Sequence, residues 1–244
     1  MKKILVIDDE RPTLTMFRLF LGVYGFDVLT AENGLEGIEI FEKERPPIVI
    51  TDIKMPGIDG FEVLRRIKEM SPETDVIVVT GHGDMDLAIQ ALNLNATDFI
   101  NKPIQKAALD AALSRAEERL KSARACESDI SVRTVDDVGI IDILGNLNSR
   151  SEPMLLKAYE TLTREGRDRI ILHFDRSFSV NGAGIAILIQ LLTESKKRNQ
   201  SVAVCGLPEN LRKVFSMVGI TRFARIFDSE GDAMESIRQA GSGN

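Results

Sequence analysis

Two α/β domains in tandem are predicted, the first built on a doubly wound five-stranded parallel sheet and the second on a mixed sheet. Three observations predict them. Five strand-like runs alternate with five helical patterns through the first half of the chain, the signature of repeated βα units. The runs ILVI, IVI and VIVV are almost wholly apolar, as strands covered by helices on both faces must be. The second half opens instead on two consecutive strand patterns, and the length of 244 residues suits two cores better than one.

In order, strands are expected at about 3–8, 27–31, 47–51, 75–79 and 97–100, and helices at about 12–23, 34–44, 60–70, 84–94 and 104–122. Pro12 suits the first turn of a helix and Asp84 the start of another. ISVRTV and VGIIDIL follow as strands joined by the turn-like Asp136-Asp137. A helix at 152–165, the strand RIILHF, a helix within NGAGIAILIQLLTESKKRN, the strand VAVC, the helix PENLRKVFSMVG, the short strand RFARIF and a final helix from about 230 complete the pattern.

Composition excludes several classes. With 28% charged and 43% apolar residues and no Gly/Ser- or Pro-rich tract, the chain reads as globular. No apolar run approaches a membrane span, and MKKILVIDDE lacks the apolar core of a secretory signal, so a cytoplasmic location is expected. Cys126 and Cys205 are too few and too far apart for a metal motif or disulfide framework. Residues 1–120 carry 14 Lys+Arg against 21 Asp+Glu, and the remainder 17 against 16, so no basic surface for nucleic acid is expected. The densest cationic run, Lys196-Lys197-Arg198, falls at a helix end, where cations complement the dipole.

Four strands of the first half end on reactive polar residues: Asp8 and Asp9, Asp52, Thr80, and Lys102. In an open α/β sheet these ends share the rim where ligands bind. Clustered carboxylates repel unless a cation joins them. Mg²⁺, which takes carboxylate and phosphate oxygens together, is the simplest partner, and Lys102 then suits a phosphoryl oxygen.

These residues, with Met55-Pro56-Gly57, Asp59-Gly60 and Lys102-Pro103, resemble the receiver domain of two-component response regulators over residues 1–120. The resemblance implies a flavodoxin-like receiver fold in which Asp52 accepts a phosphoryl group from a histidine kinase. It implies Mg²⁺ ligation by Asp9 and Asp52, with Asp8 acting through water and the Lys54 carbonyl as a further ligand. Lys102 would contact the phosphoryl group, its bond to Pro103 would be cis, and Thr80 and Phe99 would form the switch. The readout would be the surface of helix 84–94, the fifth strand and the last helix. His82 reads as a loop residue and not a base.

IQKAALDAALSRAEERLKSARA places apolar residues at 109, 113, 116, 120 and 123, a short heptad seam. The sheet accounts for it through Leu113. Beyond about residue 117 the helix is expected to leave the sheet, with 121–129 a helical linker acting as a stiff spacer or, alternatively, as a homodimer contact.

DILGNLNS, IILHFDRSFSVNGAGIAILI and LRKVFSMVGI resemble the STAS domain of anti-sigma-factor antagonists, covering 130–240. In that family an Asp-Ser-Ser-Gly stretch carries a serine phosphorylated by an anti-sigma kinase. Here it reads Asn181-Gly182-Ala183-Gly184, so Ala183 removes the hydroxyl, and Ser179 is a poor substitute. Asn181, Gly182, Ala183, Gly184 and Ile185 form the candidate partner interface, with close helix packing an equal reading of the glycines. The resemblances imply a response regulator whose STAS domain binds a protein partner, an anti-sigma factor, under control of Asp52. The alternative is a phosphorylation-independent scaffold in a larger signalling assembly. No enzyme is expected beyond a receiver supporting its own dephosphorylation: the second half offers no phosphate-binding Gly-Lys-Ser/Thr loop, and His173 stands alone in a strand.

Overall fold

Apolar strands and amphipathic helices alternate as β1 (Lys2–Ile7), α1 (Arg11–Val23), β2 (Phe26–Ala31), α2 (Gly34–Glu44), β3 (Ile48–Asp52), α3 (Gly60–Met70), β4 (Asp75–Thr80), α4 (Met85–Asn93), β5 (Asp98–Asn101) and α5 (Lys106–Ser122). This is a computed structural model describing residues 2–81, 84–122, 130–175 and 178–239. The strands pair in parallel in the order β2-β1-β3-β4-β5. Alternation along each strand serves two cores. Ile4, Val6, Ile50, Ile77 and Val79 pack with Leu14, Phe17 and Leu21 of α1 and Leu109, Leu113 and Ala116 of α5. The intervening Leu5, Ile7, Val49 and Val78 are equally buried on the opposite face, where Gly37 of α2 sits so close to Ile7 that a side chain at 37 would overlap it.

Local chemistry sets the helix ends. Pro12 occupies the first turn of α1, the Asn33 side chain accepts the Glu36 amide to cap α2, and the Asp59 side chain accepts the Glu62 amide to cap α3. The seam of α5 is longer on its own sheet than expected. Leu120 packs on the same core as Leu109 and Leu113, so the helix has not left the sheet at residue 117. Two ion pairs explain the extra turn: Arg115 Nη2 lies 2.6 Å from Asp98 Oδ2, and Arg119 Nε lies 2.8 Å from Asp75 Oδ1, fastening α5 to the starts of β5 and β4. Ala123 and the linker segment 123–129 lie outside the described residues.

The chain divides into two compact units, Met1–Leu120 and Lys121–Asn244. The second contains β6 (Ile130–Val135), β7 (Val138–Ile143), β8 (Asn146–Leu147), α6 (Glu152–Arg164), β9 (Arg169–Phe174), β10 (Ser179–Val180), α7 (Gly182–Lys197), β11 (Ser201–Cys205), α8 (Glu209–Met217), β12 (Arg225–Phe227) and α9 (Glu230–Gln239). Its mixed sheet runs β12-β11-β9-β7-β6, antiparallel only between β6 and β7, whose turn places Asp136 at φ +55°. The small pair β8-β10 has no counterpart in the sequence reading, because two-residue strands carry no periodicity. One sheet face packs Ile140, Ile171, Ala203 and Cys205 against Ala233 and Ile237 of α9. Among the described residues, no helix is long and apolar enough to cross a membrane.

Candidate functional site

In the first unit the strand order reverses beside β1 and β3, and the crevice outside their carboxyl ends is where such sheets bind ligands. β1 feeds directly into Asp8 and Asp9, and Asp52 closes β3. Because Ile7 and Thr51 are register partners, the acids following them become neighbours. Ligand oxygens of Asp8, Asp9 and Asp52 all lie within 4.8 Å of one another. Asp8 and Asp52 are buried, and Asp9 is exposed.

Each carboxylate is held differently. Asp52 Oδ2 accepts from Lys102 Nζ at 2.6 Å, and its Oδ1 accepts the Lys54 amide at 3.3 Å. Asp8 Oδ1 accepts the Glu10 amide at 2.8 Å, while its Oδ2 is buried without a hydrogen-bond partner, 3.5 Å from the Lys102 ammonium. Burial pushes the Asp8 carboxyl above its ordinary range, against the opposing pull of the Glu10 amide and Lys102. For Lys102 burial works to lower the pKa, but the hydrogen bond to Asp52 and the charges of Asp52 and Asp8 outweigh it and hold the ammonium above its usual value.

Gly60 explains the Asp-Gly step of the motif. A Cβ there would lie 2.1 Å from the Asp52 carbonyl oxygen, so only glycine lets the start of α3 pass behind the acid. Asp84 precedes α4 without capping it through its side chain; its Oδ2 instead accepts from Lys54 Nζ at 2.7 Å.

Thr80 is buried at the end of β4, and its hydroxyl donates to Asn101 Oδ1 at 2.8 Å. Asn101 went unnoticed in the sequence. The signal that would have found it is its register opposite Thr80 in the β4-β5 pair, next to Lys102. Phe99 lies within β5 opposite Val78 and is 3% exposed, with its side chain already inward. The Lys102-Pro103 bond is cis. His82 lies outside the described residues.

The donor set fits a hard divalent cation. Three carboxylates converge, and the orphaned Asp8 Oδ2 is a buried acceptor in need of a partner.

In the second unit, β8 and β10 position the 181–185 segment. Asn181 Oδ1 accepts the Gly184 amide at 2.9 Å and caps α7. A Cβ on Gly184 would lie 2.2 Å from the Leu147 carbonyl oxygen, so this glycine serves close packing. Ala183 is exposed, whereas Gly184 and Ile185 are buried and offer a partner no surface. Ser179 is 3% exposed, and its buried hydroxyl is no substitute for an accessible serine. His173 is half-buried, with Nδ1 2.6 Å from Asp142 Oδ1. Arg133 donates to both Asp142 and Glu230 beside it. Burial pushes the Cys205 thiol up to about 12, leaving it inert. Cys126 lies outside the described residues.

The response regulator receiver domain pattern matches residues 4–114, and the STAS domain pattern matches residues 129–233. Sporulation initiation phosphotransferase F of Bacillus subtilis is 34% identical over 102 residues, 42% of this chain and 82% of that protein. The C4-dicarboxylate transport transcriptional regulatory protein DctD of Pseudomonas aeruginosa is 39% identical over 116 residues, 48% of this chain but 25% of its own length. The chain thus spans a quarter of that relative. A solved response regulator receiver domain protein from Clostridium thermocellum is 41% identical, with a TM-score of 0.49, covering 50% of this chain and 99% of its own.

Proposed function

Because the chain belongs to the response regulator receiver family and carries a STAS domain behind the receiver, we propose that it is a signalling protein phosphorylated on Asp52 whose STAS domain binds a protein partner. The observation that carries this reading is the convergence of Asp8, Asp9 and Asp52 on one rim with Lys102 bonded to Asp52. The donor is a histidine kinase. An Asp52 carboxylate oxygen forms the new bond to phosphorus as the phosphorus–nitrogen bond of phosphohistidine breaks, and the leaving imidazole retains the electron pair and takes up a proton. Asp8, Asp9, Asp52 and the Lys54 carbonyl would hold Mg²⁺, which would supply charge neutralisation for the phosphoryl oxygens. Lys102 exchanges part of its contact with Asp52 for a phosphoryl oxygen, and Thr80 turns its hydroxyl toward the same group. Phe99 is the aromatic that moves together with Thr80.

The output partner is an anti-sigma factor, met at the surface around Asn181 to Ala183. Phosphoserine there would add about two negative charges. The exposed methyl of Ala183 keeps this face uncharged and leaves control to Asp52. The same methyl also favours a second reading, a scaffold within a larger assembly that ignores phosphorylation.

Titration of the whole chain against kinase-type anti-sigma factors, with and without acetyl phosphate and Mg²⁺, tests both. An affinity change of about tenfold, absent in Asp52→Ala, supports the gated partner switch. Unchanged tight binding supports the scaffold, and no binding removes the anti-sigma partner.

A further inference from the structure

The Thr80 hydroxyl is committed before any phosphoryl group arrives. It donates to Asn101 Oδ1 at 2.8 Å, from a side chain with no exposure to solvent. Their main chains are locked in register, and the Lys102 amide donates to the Thr80 carbonyl at 2.7 Å, so the two side chains face each other across β4 and β5. A hydroxyl has one proton to donate. If Thr80 is to donate to a phosphoryl oxygen on Asp52, it must first leave Asn101.

We propose that Asn101 is a positioning residue that holds the Thr80 hydroxyl away from Asp52 and so sets the threshold at which the receiver switches. The inference rests on the reading of Asp52 as the phosphoacceptor. Asn101 itself is half-buried, so its amide can take a water when Thr80 departs. The hydrogen bond therefore costs little to break and is strong enough to bias the resting state. Its neighbour Lys102 is bonded to Asp52 at the same time, so the two consecutive residues at the end of β5 hold the threonine and the aspartate in their unphosphorylated arrangement. Arrival of the phosphoryl group acts on both contacts from one side, drawing Thr80 off Asn101 and part of the Lys102 contact off Asp52.

Removing the acceptor should favour the phosphorylated arrangement. In Asn101→Ala, affinity for a beryllium fluoride phosphoryl mimic in the presence of Mg²⁺ is expected to rise on the order of fivefold, the equilibrium worth of one ordinary hydrogen bond. In the Thr80→Val background the same Asn101→Ala change should have no effect, because no hydroxyl remains to be held. That double-mutant comparison separates positioning from packing, since a packing role would persist without the hydroxyl. Circular dichroism melts of the four proteins confirm that each is folded before titration. If Thr80→Val unfolds the chain, Thr80→Ser in its place retains the hydroxyl and should preserve the Asn101 effect. Wild-type protein that fails to take the mimic overturns the Asp52 reading itself. A wild type that takes it, with Asn101→Ala unchanged or with an effect surviving in Thr80→Val, overturns the role of Asn101 alone.

Discussion

Lys102 Nζ lies 2.6 Å from Asp52 Oδ2, joining the end of β5 to the end of β3 across 50 positions of sequence. The ammonium is also 3.5 Å from Asp8 Oδ2, so one cation serves two buried acids. It stands where a phosphoryl oxygen would bring more negative charge.

Replacing Lys102 with methionine separates metal binding from switching. The ammonium competes with a divalent cation for the same carboxylates, so Lys102→Met should bind Mg²⁺ several-fold tighter in calorimetric titration. The same variant should lose at least tenfold in phosphorylation rate with acetyl phosphate, because the charge that receives the phosphoryl oxygen is gone.

Asp8 predicts a pH dependence of stability. Its ordinary pKa of 3.8 is raised by burial, so the folded protein binds its proton more tightly than the unfolded chain does. Stability therefore falls as pH rises from about 4 through the raised value, and the penalty is fully present above it. Asp8→Asn should remove it, raising the midpoint of the receiver's thermal transition at neutral pH by about 5 °C, for roughly 1 kcal/mol. Added Mg²⁺ should stabilise the wild type far more than the variant.

Arg119 and Asp75 form a nearly dry pair, with side chains 9% and 4% exposed. Arg119→Met strands the Asp75 carboxylate and should cost the receiver about 3 kcal/mol. The double change Asp75→Leu with Arg119→Met should recover most of the loss. Urea denaturation followed by circular dichroism, with the receiver transition fitted separately from that of the second unit, measures both.

Two adjacent positions in the second unit should behave oppositely. Ala183 is exposed at the start of α7, so Ala183→Glu should leave the melting temperature within a few degrees of wild type. It should weaken the partner complex at least tenfold by placing a charge on the proposed interface. Gly184→Ala drives a methyl into the Leu147 carbonyl and should destabilise this domain by about 2 kcal/mol. Thermal melts of the two variants, with partner titration of the folded ones, decide the assignment.

The receiver was legible because its chemistry sits at strand ends, where an apolar run stops on Asp8, Asp52, Thr80 or Lys102 and marks its own position. The near-continuous apolar strands mark a parallel sheet covered on both faces. Side-chain partners across strands were not legible. Neither the hydrogen bond between Thr80 and Asn101 nor the pairing of Lys54 with Asp84 follows from spacing, since both depend on register and rotamer. The end of α5 is not legible in the sequence, because the apolar seam reveals only what is greasy. Arg115 and Arg119 add nothing to an apolar pattern, yet their acids lie at the starts of β5 and β4 and keep the helix on the sheet. In the second unit the β8-β10 pair was too short to see, and with it the reason Gly184 and Ile185 point inward.

The most direct test of the central claim is intact-protein and peptide mass spectrometry after incubation with acetyl phosphate and Mg²⁺. The expected product carries one phosphoryl group per chain, dependent on Mg²⁺, labile to hydroxylamine as an acyl phosphate is, mapped to Asp52 and absent from Asp52→Asn. A phosphoryl group that maps elsewhere and persists in Asp52→Asn would contradict it, as would a folded, Mg²⁺-bound protein that gains none.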